Sequence, residues 1–197
     1  MRFLKENSDI VVKLYINQIG IAIFSMFLYT IVGALQSENE GFSLLAKVLV
    51  SVFALLFYFV LVYLAVWEIG AKDKIRIDAQ RMEKNSNKGF LIGLLANALN
   101  FIVWGIATLL MGIYLITPIE WIKTTFGIFN LIFRLFSSMY LGVVQGLSTV
   151  IPVASENIEL MVESLGFLIL PILSVLVTHL AYFMGVNNYR IIPSRKK

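Results

Sequence analysis

Four long apolar stretches limit most strongly how this chain can fold. They run from Leu14 to Leu35, Phe42 to Ile69, Phe90 to Ile116 and Leu165 to Val186. The hydrocarbon core of a bilayer is about 30 Å thick, and a helix rising about 1.5 Å per residue needs about 20 apolar residues to cross it. Each stretch reaches that length, and all are too long for the strands of a membrane barrel. The sequence therefore predicts an all-α, polytopic transmembrane helix bundle that forms a single integral membrane domain over residues 1–197.

The composition agrees with a membrane location. Hydrophobic residues make up 59% of the chain and charged residues 14%, whereas soluble domains carry about 25% charged residues. The net charge of +4 would suggest nucleic acid in a soluble protein, but the cations lie at the ends of apolar stretches, so we expect no nucleic-acid partner. The chain has no cysteine, and His179 is its single histidine. We therefore expect neither a metal site nor a cofactor.

The positions of Lys and Arg predict which connections face the cytoplasm, because positively charged loops resist translocation. Residues 1–13, 71–89 and 187–197 hold 13 of the 16 Lys and Arg residues, while the short connections between the other spans carry glutamates. Five simple crossings would place the basic carboxyl terminus outside the cell, so we expect an even number of crossings. The pattern predicts a multi-pass protein of the cell (plasma) membrane with both termini in the cytoplasm.

A fifth apolar stretch, residues 119–154, is less regular than the other four. Its polar residues recur near helical spacing and form a stripe that comprises Glu120, Lys123, Gly127, Asn130, Arg134, Ser137, Gln145 and Ser148. A helix surrounded by lipid does not suit such a stripe. Three arrangements do: an amphipathic helix in the interface, a re-entrant hairpin turning near residues 134–138, or two short crossing helices. The sequence accordingly predicts four to six membrane helices.

Four polar residues are candidates for contact with a transported solute: Asn97, Asn100, Arg134 and His179. A charge at membrane depth costs at least about 2.5 kcal/mol, so Arg134 should face protein or water, or extend to the headgroups. His179 lies about 10 Å inside the last stretch, as a proton site or as a neutral residue that donates one hydrogen bond. The buried asparagine amides require partners on another helix.

Small residues predict two helix-packing faces. Ala98, Gly105 and Gly112, together with Thr108, lie along one side of the third stretch at spacings of seven, three and four residues. Gly142 and Gly146 form a second pair, four residues apart. Small residues let helix backbones approach closely in a membrane, so we expect both faces to contact another helix.

The linker between the second and third stretches, residues 71–89, is basic, with Lys72, Lys74, Arg76, Arg81, Lys84 and Lys88. The spacing of Lys74 and Asp78 predicts that the second helix continues into this linker before the chain turns at residues 85–89. A basic helix at this position favours anionic lipid or a cytosolic partner. Lys47 and Glu68, near opposite ends of the second stretch, are each expected to extend to their own interface.

The sequence contains no catalytic motif: GxSxG, HExxH, a P-loop, GxGxxG and paired intramembrane aspartates are all missing. We therefore expect a protein that is not an enzyme. One function that fits is a small transporter or the membrane subunit of a transport complex. The alternative is a non-catalytic interaction or regulatory protein that binds another membrane protein through small-residue helix faces. The expected partners are the lipid bilayer and either other membrane subunits or further copies of this chain, and no small-molecule substrate is identified.

Overall fold

A computed structural model describes residues 2–34, 40–149 and 164–191. Within these ranges the chain consists of helices, turns and short connections, with no strand. The helices are α1 Arg2–Ala34, α2 Glu40–Asp78, α3 Lys88–Ala96, α4 Ala98–Ile116, α5 Glu120–Phe136, α6 Leu141–Ser148 and α7 Ile169–Val186. A 3₁₀ turn, Ser138–Tyr140, connects α5 to α6.

Four helical segments among the described residues are long and apolar enough to cross a membrane: Lys5–Ala34, Phe42–Asp78, Ala98–Ile116 and Ser164–Val186. The predicted all-α bundle with four clear spans is therefore confirmed. The third span is shorter than predicted, because Asn97 interrupts the apolar stretch 90–116 and separates α3 from α4.

The irregular segment 119–154 forms two helices that meet at an angle of 77°. The bend lies at Ser137, inside the range 134–138 where the re-entrant hairpin, one of the three predicted arrangements, would turn. The bent pair is either one broken span or a re-entrant loop, so the described part of the chain holds four helices long and apolar enough to span a membrane, or up to five if the bent pair is one span. Residues 150–154 of the predicted segment lie outside the described residues.

Two helices end at a non-glycine residue in the left-handed region. Gln80 follows α2 with φ of 54°, and Asn188 follows α7 with φ of 58°. In both cases the next N–H donates to a carbonyl five residues earlier, at 2.9 Å, which is the Schellman pattern of helix termination. The second helix thus continues to Asp78, as the linker pattern predicted, and the left-handed residue then redirects the chain.

The described chain divides into two compact units. Unit 1 contains residues 2–15, 59–97 and 173–191, and unit 2 contains residues 16–34, 40–58, 98–149 and 164–172. The helices α1, α2 and α7 contribute to both units, whereas α3 belongs to unit 1 and α4, α5 and α6 belong to unit 2. In unit 2, α4 and α5 fold back on each other around the apolar side chains of Ala107, Met111 and Phe126.

Candidate functional site

Unit 1 contains a buried carboxylate that accepts hydrogen bonds from two other side chains. Asp73, near the end of α2, exposes 1% of its surface. Its Oδ2 atom accepts a hydrogen bond from Lys88 Nζ at 2.6 Å and another from the Tyr182 hydroxyl at 2.9 Å. Lys88 begins α3 and Tyr182 lies on α7, so one carboxylate oxygen joins three helices. The Lys88 ammonium also lies 6.0 Å from the centroid of the Tyr182 ring.

This ion pair is largely removed from water. The Lys88 side chain exposes 13% of its surface and the Asp73 side chain exposes 2%. Removing one partner of such a pair leaves the other charge buried and uncompensated, which is strongly destabilising. Asp73 and Lys88 therefore depend on each other.

The remaining five basic residues of the linker stay at or near the surface. Lys72 pairs with Glu68 at 2.7 Å and Lys74 with Asp78 at 3.2 Å, both as solvent-accessible pairs one helical turn apart. Arg76 lies 3.7 Å from Asp73 Oδ1 with an exposed side chain, and Arg81 and Lys84 are exposed. Lys88 differs from the other five basic residues of the linker, because its ammonium belongs to a buried ion pair rather than to the exposed charge of the surface.

Glycines bring the helices of unit 1 into backbone contact. A Cβ added at Gly70 on α2 would lie 2.9 Å from the Cα of Gly185 on α7. A Cβ added at Gly89 on α3 would lie 2.5 Å from the Cβ of Tyr182. Because only glycine allows these approaches, the three helices come close enough for Lys88 and Tyr182 to reach one carboxylate.

Sequence reasoning missed this site for a physical reason. Asp73, Lys88 and Tyr182 lie on three different helices, and Asp73 follows the apolar stretch 42–69, where a charge looks solvent-exposed. The available signal was the set of glycines at 70, 89 and 185, because glycines beside a charged residue at the end of a span allow neighbouring helices to enclose that charge.

A second group of polar contacts joins the end of α3 to α7. Asn97 exposes 1% of its surface. Its Nδ2 atom donates to Ser174 Oγ at 3.1 Å and to the Gly93 carbonyl at 2.9 Å. The Thr178 hydroxyl donates to the Ser174 carbonyl at 2.7 Å. Asn97 thus satisfies its amide on another helix, at the residue where α3 ends.

His179 lies at the same contact between α3 and α7. Its ring meets Phe90 edge-on, with centroids 6.4 Å apart and the ring planes at 90°. Its Nδ1 atom is buried and has no hydrogen-bond partner in the described part of the chain. The Cα of His179 also lies 3.1 Å from the Cβ position of Gly89, so the histidine lies beside the Asp73 site.

In unit 2 the polar side chains gather at the bend between α5 and α6. The Ser138 hydroxyl donates to the Ala22 carbonyl, and the Ser138 carbonyl accepts from the Ser25 hydroxyl at 3.3 Å. The Gly142 N–H donates to Ser51 Oγ at 2.8 Å. The bend is therefore held by α1 through Ser25 and by α2 through Ser51.

The predicted packing glycines differ in their surroundings. A Cβ at Gly142 would collide with the Lys47 carbonyl, and one at Gly146 would lie 2.9 Å from Val48 Cγ2, so α6 packs directly on α2. At Gly105 and Gly112 no described atom lies within 4 Å of an added Cβ.

Among the residues that the structure describes, none packs on the two glycines of the predicted close-packing face of α4, formed by Ala98, Gly105 and Gly112, so the contact of that face with another helix stays a prediction. The reason that none packs there is the rotation of the helix. Ala107 and Met111 form the side that packs on α5, and Ala107 lies about 200° of helical rotation from Gly105.

The other two predicted polar residues belong to unit 2. Asn100 on α4 donates to Gln18 Oε1 on α1 at 3.0 Å, and both side chains are buried. Arg134 lies in the last turn of α5 and is partly buried. Asn97 and Asn100 thus serve hydrogen bonds between helices, in unit 1 and unit 2 respectively.

An apolar groove of about 220 Å³ lies on unit 2 between α1 and the end of α5. It is lined by Ile19, Ala22, Ile23, Met26, Leu135 and Phe136. The lining contains no charged or hydrogen-bonding side chain, so the groove suits a hydrocarbon chain better than a polar solute.

Comparison with protein-family models, with curated protein sequences and with solved structures finds no match to this chain. Among the described residues, no group of three or more His, Asp or Glu side chains is arranged to hold a metal ion. Any assignment of function therefore depends on the geometry of the chain itself.

Proposed function

We propose that this integral membrane protein is a non-enzymatic component of a transport system, either as the membrane subunit of a complex or as a small carrier. The observation that carries the proposal is the presence of two interrupted helical regions with buried polar residues at the interruptions. One is the break between α3 and α4 at Asn97, and the other is the 77° bend at Ser137 between α5 and α6.

Interrupted helices support transport because they expose backbone polar groups that lipid cannot satisfy. Such breaks are tolerated at membrane depth only where protein or a hydrated cavity surrounds them, and transporters commonly build solute sites at them. At the Asn97 break, the side-chain amide and Ser174 provide polar groups. At the bend, Ser137 and Ser138 each expose 1% of their surface.

The buried charges of unit 1 give further support. Burying charged groups costs free energy even outside the apolar spans, and buried titratable groups cluster at functional sites. Asp73 and Lys88 form such a pair at the end of α2, with His179 close by on α7.

Purification of the tagged chain at its native level in mild detergent tests the proposal. We expect a stoichiometric companion subunit with nucleotide-binding or solute-binding motifs, or a bound small molecule, identified by mass spectrometry. An unrelated four-span protein with the same tag is the control. Recovery of the chain alone, with neither companion nor bound molecule, would contradict transport.

The location and orientation are part of the proposal. We place the protein in the cell (plasma) membrane with residues 1–13, 71–89 and 187–197 in the cytoplasm, supported by their 13 Lys and Arg residues. The chain has no cysteine of its own, so single cysteines at Ser86, Ser155 and Ser194 can be labelled without background. We expect only the Ser155 position to react with a membrane-impermeant reagent in intact cells, and labelling at Ser194 would exclude an even number of crossings.

A second function, a non-catalytic protein that binds or regulates another membrane protein, is favoured by α4. The span Ala98–Ile116 is 17% buried, against 33 to 44% for the other three spans. It also carries Gly105 and Gly112, and no described atom lies within 4 Å of a Cβ added at either glycine. Cysteine crosslinking at Gly105 in native membranes tests whether α4 is such an interface, because a crosslink to another protein is expected only in that case.

A further inference from the structure

Lys47 is a partly buried cation on α2 in unit 2. Its Nζ atom lies 5.5 Å from the centroid of the Tyr29 ring on α1. Within the described ranges this ring contact is the interaction that the ammonium makes, and it has no carboxylate partner there. Lys88, the buried lysine of unit 1, in contrast has Asp73 at 2.6 Å.

Three helices determine the position of Lys47. The α6 helix packs directly on this turn of α2, since a Cβ at Gly142 would collide with the Lys47 carbonyl. Tyr29 is fixed by its hydroxyl, which donates to Gln145 Oε1 on α6. The ammonium and the ring that faces it are therefore placed by packing and by a hydrogen bond, rather than by free rotation of a surface side chain.

The ring contact does not satisfy the hydrogen-bond donors of the Lys47 ammonium. An ammonium group has three N–H donors, whereas the face of an aromatic ring offers electrostatic attraction but no lone pair. Lysines inside membrane helices are normally paired with an anion, with backbone carbonyls or with water. A compact ammonium with no carboxylate partner among the described residues is suited to an anionic oxygen supplied by another molecule.

We propose that Lys47 and Tyr29 form a binding site for an anionic oxygen group, a phosphate or a carboxylate, carried by a lipid headgroup or by a solute. The site does not depend on the transport proposal, because it requires only that the anion bind. Tyr29 holds the ammonium in position, and the three N–H donors of Lys47 bind the anion.

Lys123 is a matched control within the same unit. Its Nζ atom lies 5.8 Å from the Tyr114 ring centroid, which is nearly the same cation–π geometry. Lys123 is exposed near the beginning of α5, where water satisfies its donors. Replacing Lys123 therefore removes the same charge and the same kind of ring contact without touching the proposed site.

The test is thermal unfolding of the full chain purified in neutral detergent, because a ligand that binds only the folded state raises the melting temperature. The probes are phosphatidylglycerol, phosphatidylcholine with the same acyl chains, inorganic phosphate and acetate, with the soluble anions compared against chloride at equal ionic strength. We expect wild type, Lys47→Arg and Lys123→Met to show an anion-dependent increase and Lys47→Met to lose it.

Each outcome has one meaning. An increase with phosphatidylglycerol that phosphatidylcholine does not produce, lost in Lys47→Met, assigns the site to lipid, and the same result with phosphate or acetate assigns it to a soluble anion. Equal increases in wild type and Lys47→Met, or no increase with any anion, overturn the proposal. If Lys47→Met does not yield folded protein, Lys47→Gln replaces it, since Gln keeps polar donors and removes the charge.

Discussion

The two units are stabilised by different means. In unit 1, α2, α3 and α7 meet through glycine backbones, and the Asp73 carboxylate is enclosed with Lys88 and Tyr182. In unit 2, α4 and α5 pack through larger apolar side chains, and serines from α1 and α2 hold the bend at Ser138.

The difference shows how a membrane bundle can contain charge. Glycine contacts bring helices close enough to exclude water around an ion pair. An added methyl group then forces the backbones apart, and loss of one partner of the ion pair leaves the other charge buried and uncompensated. A bend held by hydroxyl groups loses one hydrogen bond at a time. We therefore expect unit 1 to respond sharply to changes of charge and volume, and unit 2 to respond more gradually.

The largest effect is expected at the buried ion pair. Asp73→Leu leaves Lys88 without its carboxylate and should lower the free energy of unfolding by about 3–5 kcal/mol, measured by thermal and denaturant unfolding in detergent. The double variant Asp73→Leu with Lys88→Met should recover much of that loss, because no charge is then left buried.

Asp78→Leu is the control for the ion pair. Asp78 pairs with Lys74 at 3.2 Å in an accessible position, so its loss should change stability by about 0.5 kcal/mol or less. Equal stability losses in the Asp73 and Asp78 variants would show that the Asp73 pair is not buried in the way described.

The next effect concerns volume at glycine. A Cβ at Gly185 would lie 2.9 Å from the Gly70 Cα, so Gly185→Ala forces two backbones apart and should cost about 1–3 kcal/mol. Gly105→Ala adds the same methyl group where no described atom lies within 4 Å, and it should be neutral or stabilising by up to about 1 kcal/mol, since Ala favours helix. Melting temperatures of the two variants in one detergent compare them directly, and a loss at Gly105 alone would show that the packing face predicted for α4 contacts another helix.

A smaller effect is expected at the bend of unit 2. Ser51→Ala removes the acceptor of the Gly142 N–H, which lies at the start of α6 and therefore has no partner within that helix. We expect a loss of about 1 kcal/mol. Ser86→Ala, at an exposed turn, should have no measurable effect, and hydrogen exchange at the Gly142 amide should increase only in the Ser51 variant.

The smallest effect is a gain at Gln80. The φ of 54° is strained for a side chain with a Cβ and natural for glycine, so Gln80→Gly should raise stability by roughly 0.5 kcal/mol. Gln80→Ala retains the strain and should show no gain. An equal melting temperature for Gln80→Gly and Gln80→Ala would mean that the left-handed conformation is not what ends α2.

The spans were predictable because they depend on local properties. Apolar length determines whether a helix can cross a membrane, and the four stretches correspond to the four described spans. The bend at Ser137 was predictable only as one of three arrangements, since the polar stripe in 119–154 excludes a straight helix surrounded by lipid but allows one in the interface. The break at Asn97 was not, because the stretch 90–116 is continuously apolar enough for one span.

The candidate site could be recognised only from the tertiary structure. The sequence shows that Lys88 lies near the end of a span but not which helix its side chain will face, so Lys88 was predicted to belong to the basic linker. The sequence likewise shows a glycine at position 105 but not which residues pack against that side of α4. Small residues predict close approach only after the rotation of the helix is known, and that rotation is set by the packing of α4 on α5 through Ala107 and Met111.

The amino-acid sequence by itself determined that this is an all-α membrane bundle, because the cost of placing unsatisfied backbone groups in lipid leaves helices as the solution for long apolar stretches. Only the tertiary structure decided which polar groups meet. The Asp73, Lys88 and Tyr182 contact joins three helices through glycine approaches, and Lys47 faces Tyr29 through the packing of α6. Such contacts depend on the rotation and separation of helices, which the combined packing of all their faces sets rather than any local pattern.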